Sequence, residues 1–251
     1  MRVQVVAAGG GGFPLSTYLV DDALAVDAGA LGWCGPPGRL AAVRDILLTH
    51  PHIDHLAGLP IFLDTVYGLA PDPPGVHAPP PTLDAVHGHI FNGVLMPDFV
   101  AMSRTMAPFL RLCPVRPGEP FRVGGYTVTA LDLDHTVPTV GYVLDDGAAA
   151  VAVLTDTAPV PAVIARVAGW PRLRAVFLEA SFPDHMADLA AVSRHLTTSQ
   201  FLAHARQLPV DVPVYAVHLK PRWADEIAAA IRAAGLPHVR AAEPGEVVEV
   251  G

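Results

Sequence analysis

The 251-residue chain has few cysteines, few basic residues and no long apolar run, and each shortage excludes a class of protein. Two cysteines, Cys34 and Cys113, are too few for a thiolate zinc cluster or a disulfide framework, which predicts free thiols in a reducing, cytoplasmic compartment. The uncharged stretch 3–20 is interrupted by glycines, a proline and polar residues. We therefore expect neither a membrane span nor a signal peptide there.

Basic residues are outnumbered, because 16 Lys and Arg stand against 24 Asp and Glu, and the formal net charge is −8. Proteins that follow a long polyanion neutralise its phosphates with Lys and Arg. This balance therefore disfavours nucleic acid as a partner and remains compatible with a small phosphate ester. Hydrophobic residues make up 51% of the chain, enough for one large domain with a filled core, and we predict a single domain over 1–251.

Alternating strand and helix patterns predict an α/β fold with two strand-rich halves. Gly9 to Gly12 match neither a dinucleotide fingerprint nor a P-loop, so we expect a turn beside the site described next. Residues 71–118 begin with a proline-rich stretch, and their helical pattern is interrupted at Pro97 and Pro108. We interpret 71–118 as a partly helical insertion. Predicted strands cover 17–20, 24–27, 45–49, 126–134, 140–146, 148–156, 175–178 and 214–217, and predicted helices cover 162–168, 198–207 and 224–234.

The strongest chemical signal is the run His50-Pro51-His52-Ile53-Asp54-His55, directly after a buried-type strand. His50 and His52 are two residues apart, so in an extended loop both imidazoles point the same way and can share one metal ion. Asp54 and His55 fall where the chain turns into the next helix, and can face a second ion. The alternative is a polar strand-to-helix loop with scattered histidines.

The segment HPHIDHLAGLP, residues 50–60, resembles the HxHxDH signature of the metallo-β-lactamase superfamily. This resemblance implies a metallo-β-lactamase-like four-layer αββα sandwich. It also implies three further ligands: His135 on the first metal, Asp156 bridging both metals, and His218 on the second. The cofactors would be two divalent metal ions. Ligands of the His and Asp type suit zinc, with iron or manganese as alternatives.

Within that superfamily the chain looks most like the class II cyclic-nucleotide phosphodiesterases. The similar segments are 82–99, 177–184 with 194–197, and 218–221. The resemblance implies hydrolysis of 3′,5′-cyclic nucleotides, with cyclic AMP favoured, to nucleoside 5′-monophosphates by a hydroxide bridging the two metals. A homodimer is also expected, because dimers are common in related folds.

Some residues depart from that pattern. The segment 134–144, DHTVPTVGYVL, is closer to the His-x-Val-Pro segment of the tRNA 3′-end endonucleases called RNase Z, which usually have Gly where Ile53 stands. An RNase Z-like or broad-specificity phosphodiesterase therefore remains an alternative. A thiolesterase, a lactamase and a non-catalytic metal-binding relative are further alternatives, because the metal motif is shared.

We assign catalytic roles to three residues. Asp54 is a metal ligand that also orients the attacking water or accepts its proton. His195 is the general acid for the leaving oxygen, since imidazole titrates near neutral pH. Glu179 ends a buried-type strand and holds His195 in the correct tautomer; the alternative is a helix-capping Glu179 and a surface His195. Asn92 and Lys220 are predicted substrate contacts, although a local helical role for Asn92 and a solvated Lys220 remain equally open.

Overall fold

The computed structural model describes residues 1–6, 15–106 and 108–251, and within them the chain forms two compact units. One unit, called unit A here, holds residues 2–116 and 244–248; the other, unit B, holds residue 1 together with 117–243 and 249–251. The glycine turn predicted at Gly9 to Gly12 lies outside the described residues. The extent of a single domain over 1–251 stays a prediction.

The first sheet has seven strands in the order β14-β1-β2-β3-β4-β5-β6. Strands β1 to β3 pair antiparallel and strands β3 to β6 pair parallel. The strands are β1 (Arg2–Val5), β2 (Tyr18–Val20), β3 (Leu24–Val26), β4 (Asp45–Leu47), β5 (Gly75–Ala78), β6 (Arg111–Pro114) and β14 (Val247–Glu249).

Helices of unit A pack on one face of the first sheet. Alternate strand residues such as Ile46 and Val76 are fully buried in one core with Phe62 and Leu63 of the helix that follows the histidine motif. This alternation is what a sheet with one helix-covered face requires. The helices are α1 (Pro37–Leu40), α2 (Ile53–Leu56), α3 (Leu59–Val66), α4 (Pro80–Ala85) and α5 (Phe99–Thr105), with a π-helical turn at Val86–Ile90.

The second sheet has seven strands in the order β13-β12-β11-β10-β9-β8-β7. Strands β7 to β10 form an antiparallel meander, and strands β10 to β13 pair parallel. The strands are β7 (Pro120–Val123), β8 (Tyr126–Leu133), β9 (Thr139–Asp145), β10 (Ala150–Leu154), β11 (Leu173–Glu179), β12 (Val214–Val217) and β13 (Val239–Ala241).

Unit B also has a helix-covered core. Leu154, Val176 and Ala216 of its central strands pack with Ile164, Phe201 and Ile231 from three amphipathic helices. The Ala- and Val-rich strands allow this close packing of sheet and helix. The helices are α6 (Pro161–Ala168), α7 (Ala187–Ser193), α8 (Thr198–Ala205) and α9 (Ala224–Ala233).

Segment 71–118 contains α4, α5 and the π-helical turn, but it also contributes β5 and β6 to the first sheet, which the sequence pattern did not predict. Among the described residues, no helix has the length and apolar character needed to cross a membrane.

Candidate functional site

The histidine motif follows the carboxyl end of a parallel strand in unit A. Strands β3 and β4 pair parallel, so the residues after both strands, Asp27 and Thr49 to His52, meet at one edge of the sheet. Carboxyl ends of parallel strands are the common place for ligand sites in α/β sheets. Helix α2 begins at Ile53, where the sequence predicted the chain to turn into a helix.

The motif brings its imidazoles together. The ring centroids of His50 and His52 are 4.5 Å apart, and those of His50 and His55 are 4.2 Å apart. The Asp54 carboxylate lies 3.9 Å from Nε2 of His55. His50 and His55 are fully buried, whereas Asp54 is partly exposed. Unit A therefore gathers all four motif residues into one polar group.

Asp27 organises this group, and the sequence predicted it only as the end of the strand 24–27. Its carboxylate accepts hydrogen bonds from the backbone N–H and hydroxyl of Thr49, and its Oδ2 lies 2.6 Å from Nδ1 of His55. A carboxylate that accepts from a histidine Nδ1–H fixes the tautomer and directs Nε2 outward. The sequence signal that could have indicated this role was an acidic residue directly after β3, the buried strand that neighbours β4.

Gly29 allows two loops of unit A to pack backbone against backbone. A Cβ at this position would overlap the carbonyl oxygen of Asp54 and lie 2.8 Å from the amide nitrogen of Ser16. Backbone hydrogen bonds of 2.8 to 2.9 Å join Ala28 to His55, Ser16 to Asp54, and Gly29 to Ser16. The motif is therefore clamped by the segment after β3, and only glycine fits at the closest approach.

Unit B carries a second polar group at the carboxyl ends of its own strands. His135 follows β8, Asp156 follows β10, Glu179 ends β11 and His218 follows β12. Strands β10, β11 and β12 are parallel neighbours, which explains why residues far apart in sequence meet there. The sequence analysis placed each of these residues at a strand end.

Asp156 lies between two histidines of this group. Its Oδ2 is 3.8 Å from Nε2 of His135, and its Oδ1 is 3.5 Å from Nε2 of His218. Asp156 and His135 are buried, and the side chain of His218 is nearly so. Two imidazole nitrogens therefore approach one carboxylate from its two oxygens, the arrangement that a bridging carboxylate needs.

Glu179 and His195 form a hydrogen-bonded pair beside that group. Nδ1 of His195 lies 3.0 and 3.2 Å from the two oxygens of Glu179, which is fully buried. Glu179 also accepts from the backbone N–H groups of Thr157 and Leu196. The rings of His195 and His218 are 5.4 Å apart. The sequence alternative of a helix-capping Glu179 and a surface His195 is therefore wrong.

The ring nitrogens of His50, His55 and His135 are arranged as metal coordination requires. The Nδ1 atoms of His50 and His55 lie 3.0 Å and 2.6 Å from protein oxygens, and Nδ1 of His135 lies 3.0 Å from the carbonyl oxygen of Arg194. A carbonyl only accepts, so neutral His135 carries its proton on Nδ1 and its lone pair on Nε2. Buried imidazole lone pairs beside carboxylates are the donor set that zinc and similar divalent ions bind.

The two predicted substrate contacts have local partners. The exposed Asn92 accepts from the backbone N–H groups of Val94 and Leu95 at 2.9 Å and donates to the carbonyl of His89 at 3.3 Å. The half-buried Lys220 donates its backbone N–H to Ser181. Phe91 is fully buried in the core of unit A. A role in substrate binding stays a prediction for Asn92 and Lys220.

Comparison with known proteins agrees with this geometry. A family model described as the beta-lactamase superfamily domain matches residues 29–233. Ribonuclease Z from Thermosynechococcus vestitus is 34% identical over 111 residues, which are 43% of this chain and 25% of that protein. Unliganded yeast PDE1 has a TM-score of 0.77 at 16% identity, covering 98% of both chains. The short form of human tRNase Z has a TM-score of 0.70 at 16% identity, covering 100% of both chains.

Two mixed sheets flanked by helices, with buried His and Asp groups at their strand ends, define a metal-dependent hydrolase of the metallo-β-lactamase fold. The family model covers most of the chain, and the chain therefore belongs to the beta-lactamase superfamily domain family. The predicted superfamily and fold class are confirmed. The matched region spans 25% to 30% of the length of the curated relatives.

Proposed function

We propose that this protein is a phosphodiesterase that hydrolyses 3′,5′-cyclic nucleotides, with cyclic AMP as the preferred substrate, to nucleoside 5′-monophosphates. The observation that carries the proposal is the Glu179–His195 pair, which lies beside His218 and Asp156. One ligand atom from each of Glu179, His195 and His218 lies within 4.8 Å of the others. Cleavage of an alkyl phosphodiester needs an oriented proton donor next to a site that stabilises charge on the phosphoryl group.

Seven residues are proposed as ligands of two divalent ions. Asp156 would be shared by the two ions; the other ligands are His50, His52, Asp54, His55, His135 and His218. Membership of the family and the donor chemistry of each group support this assignment. When bound, two such ions would neutralise charge at phosphorus and lower the pKa of an attacking water. The absence of thiolates from the set favours zinc, iron or manganese over softer ions.

The chain's own residues handle the protons. Glu179 holds Nδ1–H of His195, so Nε2 is the nitrogen that donates a proton to the 3′-oxygen as the phosphorus–oxygen bond breaks. Asp54 is partly exposed, and its carboxylate accepts or orients the proton of the attacking water. The water oxygen forms the new bond to phosphorus, and the product carries a free 3′-hydroxyl and a 5′-phosphate.

A small substrate is supported by the charges on the surface. The formal net charge is −8, and several arginines are paired with aspartates rather than presented alone. Arg172 pairs with Asp145 and Arg194 with Asp134, each at 2.7 Å, while Arg39 pairs with Asp22 at 2.9 Å. A polynucleotide track needs free basic groups whose binding weakens steeply with salt. A cyclic nucleotide needs only a pocket with a few polar contacts.

An RNase Z-like nuclease is the second candidate, and one observation favours it. The 34% identity with Ribonuclease Z of Thermosynechococcus vestitus is local but exceeds the identity with any of the solved structures described above. Both candidates use the same phosphodiester chemistry, and they differ in the size and charge of the substrate.

Hydrolysis of a panel of substrates at low and high salt separates the candidates. The panel is cyclic AMP, cyclic GMP, bis(p-nitrophenyl) phosphate and a precursor tRNA, with His135→Ala as the control for contaminating activity. We expect kcat/KM for cyclic AMP to be highest and to change only modestly with salt. Efficient processing of precursor tRNA, without turnover of any cyclic nucleotide, would show that the nuclease is the correct choice.

A further inference from the structure

Ser181 lies between the Glu179–His195 pair and the ligand His218, and none of the roles assigned above uses its hydroxyl. The residue is fully buried two positions after the end of β11. Its Oγ lies 2.6 Å from Oε2 of Glu179 and 3.1 Å from Nδ1 of His218. The hydroxyl of Ser181 thus links the carboxylate of Glu179 to the imidazole of His218.

The direction of both hydrogen bonds follows from counting protons. A serine hydroxyl has one proton to donate and two lone pairs to accept with. Donation to the Glu179 carboxylate at 2.6 Å is short and charge-assisted, and so is favoured over donation to the carbonyl of His218 at 3.1 Å. Oγ then accepts from Nδ1–H of His218. His218 is consequently held with its lone pair on Nε2, which lies 3.5 Å from Oδ1 of Asp156.

The carboxylate of Glu179 accepts hydrogen bonds from several neighbouring residues. Besides Ser181, Glu179 accepts from His195 Nδ1, and it accepts from the N–H of Thr157, the residue after Asp156. The Ser181–His195 distance of 3.4 Å is longer than the 3.0 Å between His195 and Glu179, so His195 bonds to the carboxylate. Ser181 therefore contacts His218 directly and is linked to the proton donor only through Glu179.

We propose that Ser181 is a positioning residue that fixes the tautomer of His218 and so prepares Nε2 to bind a divalent ion. Its effect on hydrolysis rests on the proposed phosphodiesterase activity, whereas its effect on ion binding rests only on the proposed role of His218 as a ligand. Groups that orient a metal-bound histidine typically contribute about 10–100-fold to metal affinity or activity. Loss of the Ser181 hydroxyl should weaken ion binding by that order and leave proton donation by His195 intact.

Competition for zinc between a chromophoric chelator and the full chain tests this without any substrate. Ser181→Ala should lower zinc affinity by roughly 10–100-fold, and Ser181→Thr, which keeps a hydroxyl, should recover most of it. Ser193→Ala is the matched control, because its hydroxyl donates only to Leu189 of its own helix at 2.7 Å among the described contacts, and affinity should not change. ¹⁵N spectra of the metal-free protein should show the Nδ1–H tautomer of His218 in the wild type and a mixture in Ser181→Ala.

The outcomes separate this inference from the proposed function. A folded Ser181→Ala chain with wild-type zinc affinity and an unchanged His218 tautomer would overturn the inference. If Ser181→Ala unfolds, Ser181→Val replaces it, because valine has nearly the shape of the threonine in Ser181→Thr but no hydroxyl; the same loss of affinity is expected, and wild-type affinity overturns the proposal. If zinc affinity falls as expected but no diester is hydrolysed by the wild type, the inference stands and the proposed function fails.

Discussion

Replacing His195 with Ala tests the assignment of the proton donor. Glu179 is fully buried and holds Nδ1 of His195 at 3.0 Å, so Nε2 is the nitrogen available to the leaving oxygen. Alanine removes this donor without removing Asp156 or either of its histidine neighbours. We therefore expect loss of proton transfer while ion binding is retained.

The size of the loss should depend on the leaving group. General acid catalysis is typically worth about 10²–10⁴-fold, or about 3–5 kcal/mol in the barrier. That full loss in kcat is expected for cyclic AMP, whose 3′-alkoxide is a poor leaving group. p-Nitrophenolate leaves without a proton, so bis(p-nitrophenyl) phosphate should lose less than about 10-fold.

The assay is kcat for both substrates at saturating zinc, with zinc content measured on the same samples. His185→Ala is the matched control, since His185 is exposed in the same unit and pairs with Glu226 at 3.3 Å. Equal losses on the two substrates would remove His195 from the role of proton donor. Loss of bound zinc in His195→Ala would instead make it a metal ligand, an outcome compatible with its closeness to His218.

Three further perturbations test the site and the fold. His52→Ala, or treatment with a chelator, should abolish hydrolysis while far-ultraviolet circular dichroism stays unchanged, because the proposed ligands lie on loops at strand ends. Full activity in chelated protein without metal would contradict this. Gly29→Ala should cost roughly 3 kcal/mol or more in chemical unfolding, since backbone atoms meet the new Cβ, whereas Gly38→Ala, whose Cβ meets no described atom within 4 Å, should not destabilise. Burial lowers the pKa of His204 below its ordinary 6.5, so the unfolded chain takes up a proton first as the pH falls. Stability should therefore decrease below about pH 6.5. His204→Gln, which keeps an acceptor for the N–H of Val160, should flatten the pH dependence of Tm.

The strands next to the site were predictable because their local patterns are strong. Residues 150–154 are an unbroken buried strand, and Val214–Val217 was predicted with its exact bounds. The helix at Ala224–Ala233 follows its apolar period closely. Both strands end where a polar residue follows an apolar run, and that contrast is visible in sequence alone.

Other elements depend on tertiary contacts that short patterns do not contain. Strand β5 lies in a proline-rich stretch and exists because it pairs in parallel with β4 and β6 on either side. Asp27 is 28 positions before His55, so their 2.6 Å hydrogen bond has no local signature. The role of Ser181 likewise depends on His218, which is 37 positions away. The sequence motif predicted the histidines and aspartates, but not the groups that orient them.

Backbone conformation gives a last, independent test of whether Asp156 is kept for function. Asp156 has a positive φ of 59°, in the left-handed region where non-glycine residues are strained by about 1–3 kcal/mol. Asp156→Gly should relieve this strain and remove a buried carboxylate, so the metal-free protein should gain stability by roughly 1 kcal/mol while zinc binding is lost. Asp21→Gly, with φ of 49° but outside both groups, should leave zinc binding unchanged. If Asp156→Gly retained wild-type zinc affinity, the strain at Asp156 would have no connection with metal binding, and Asp156 could not be the shared ligand.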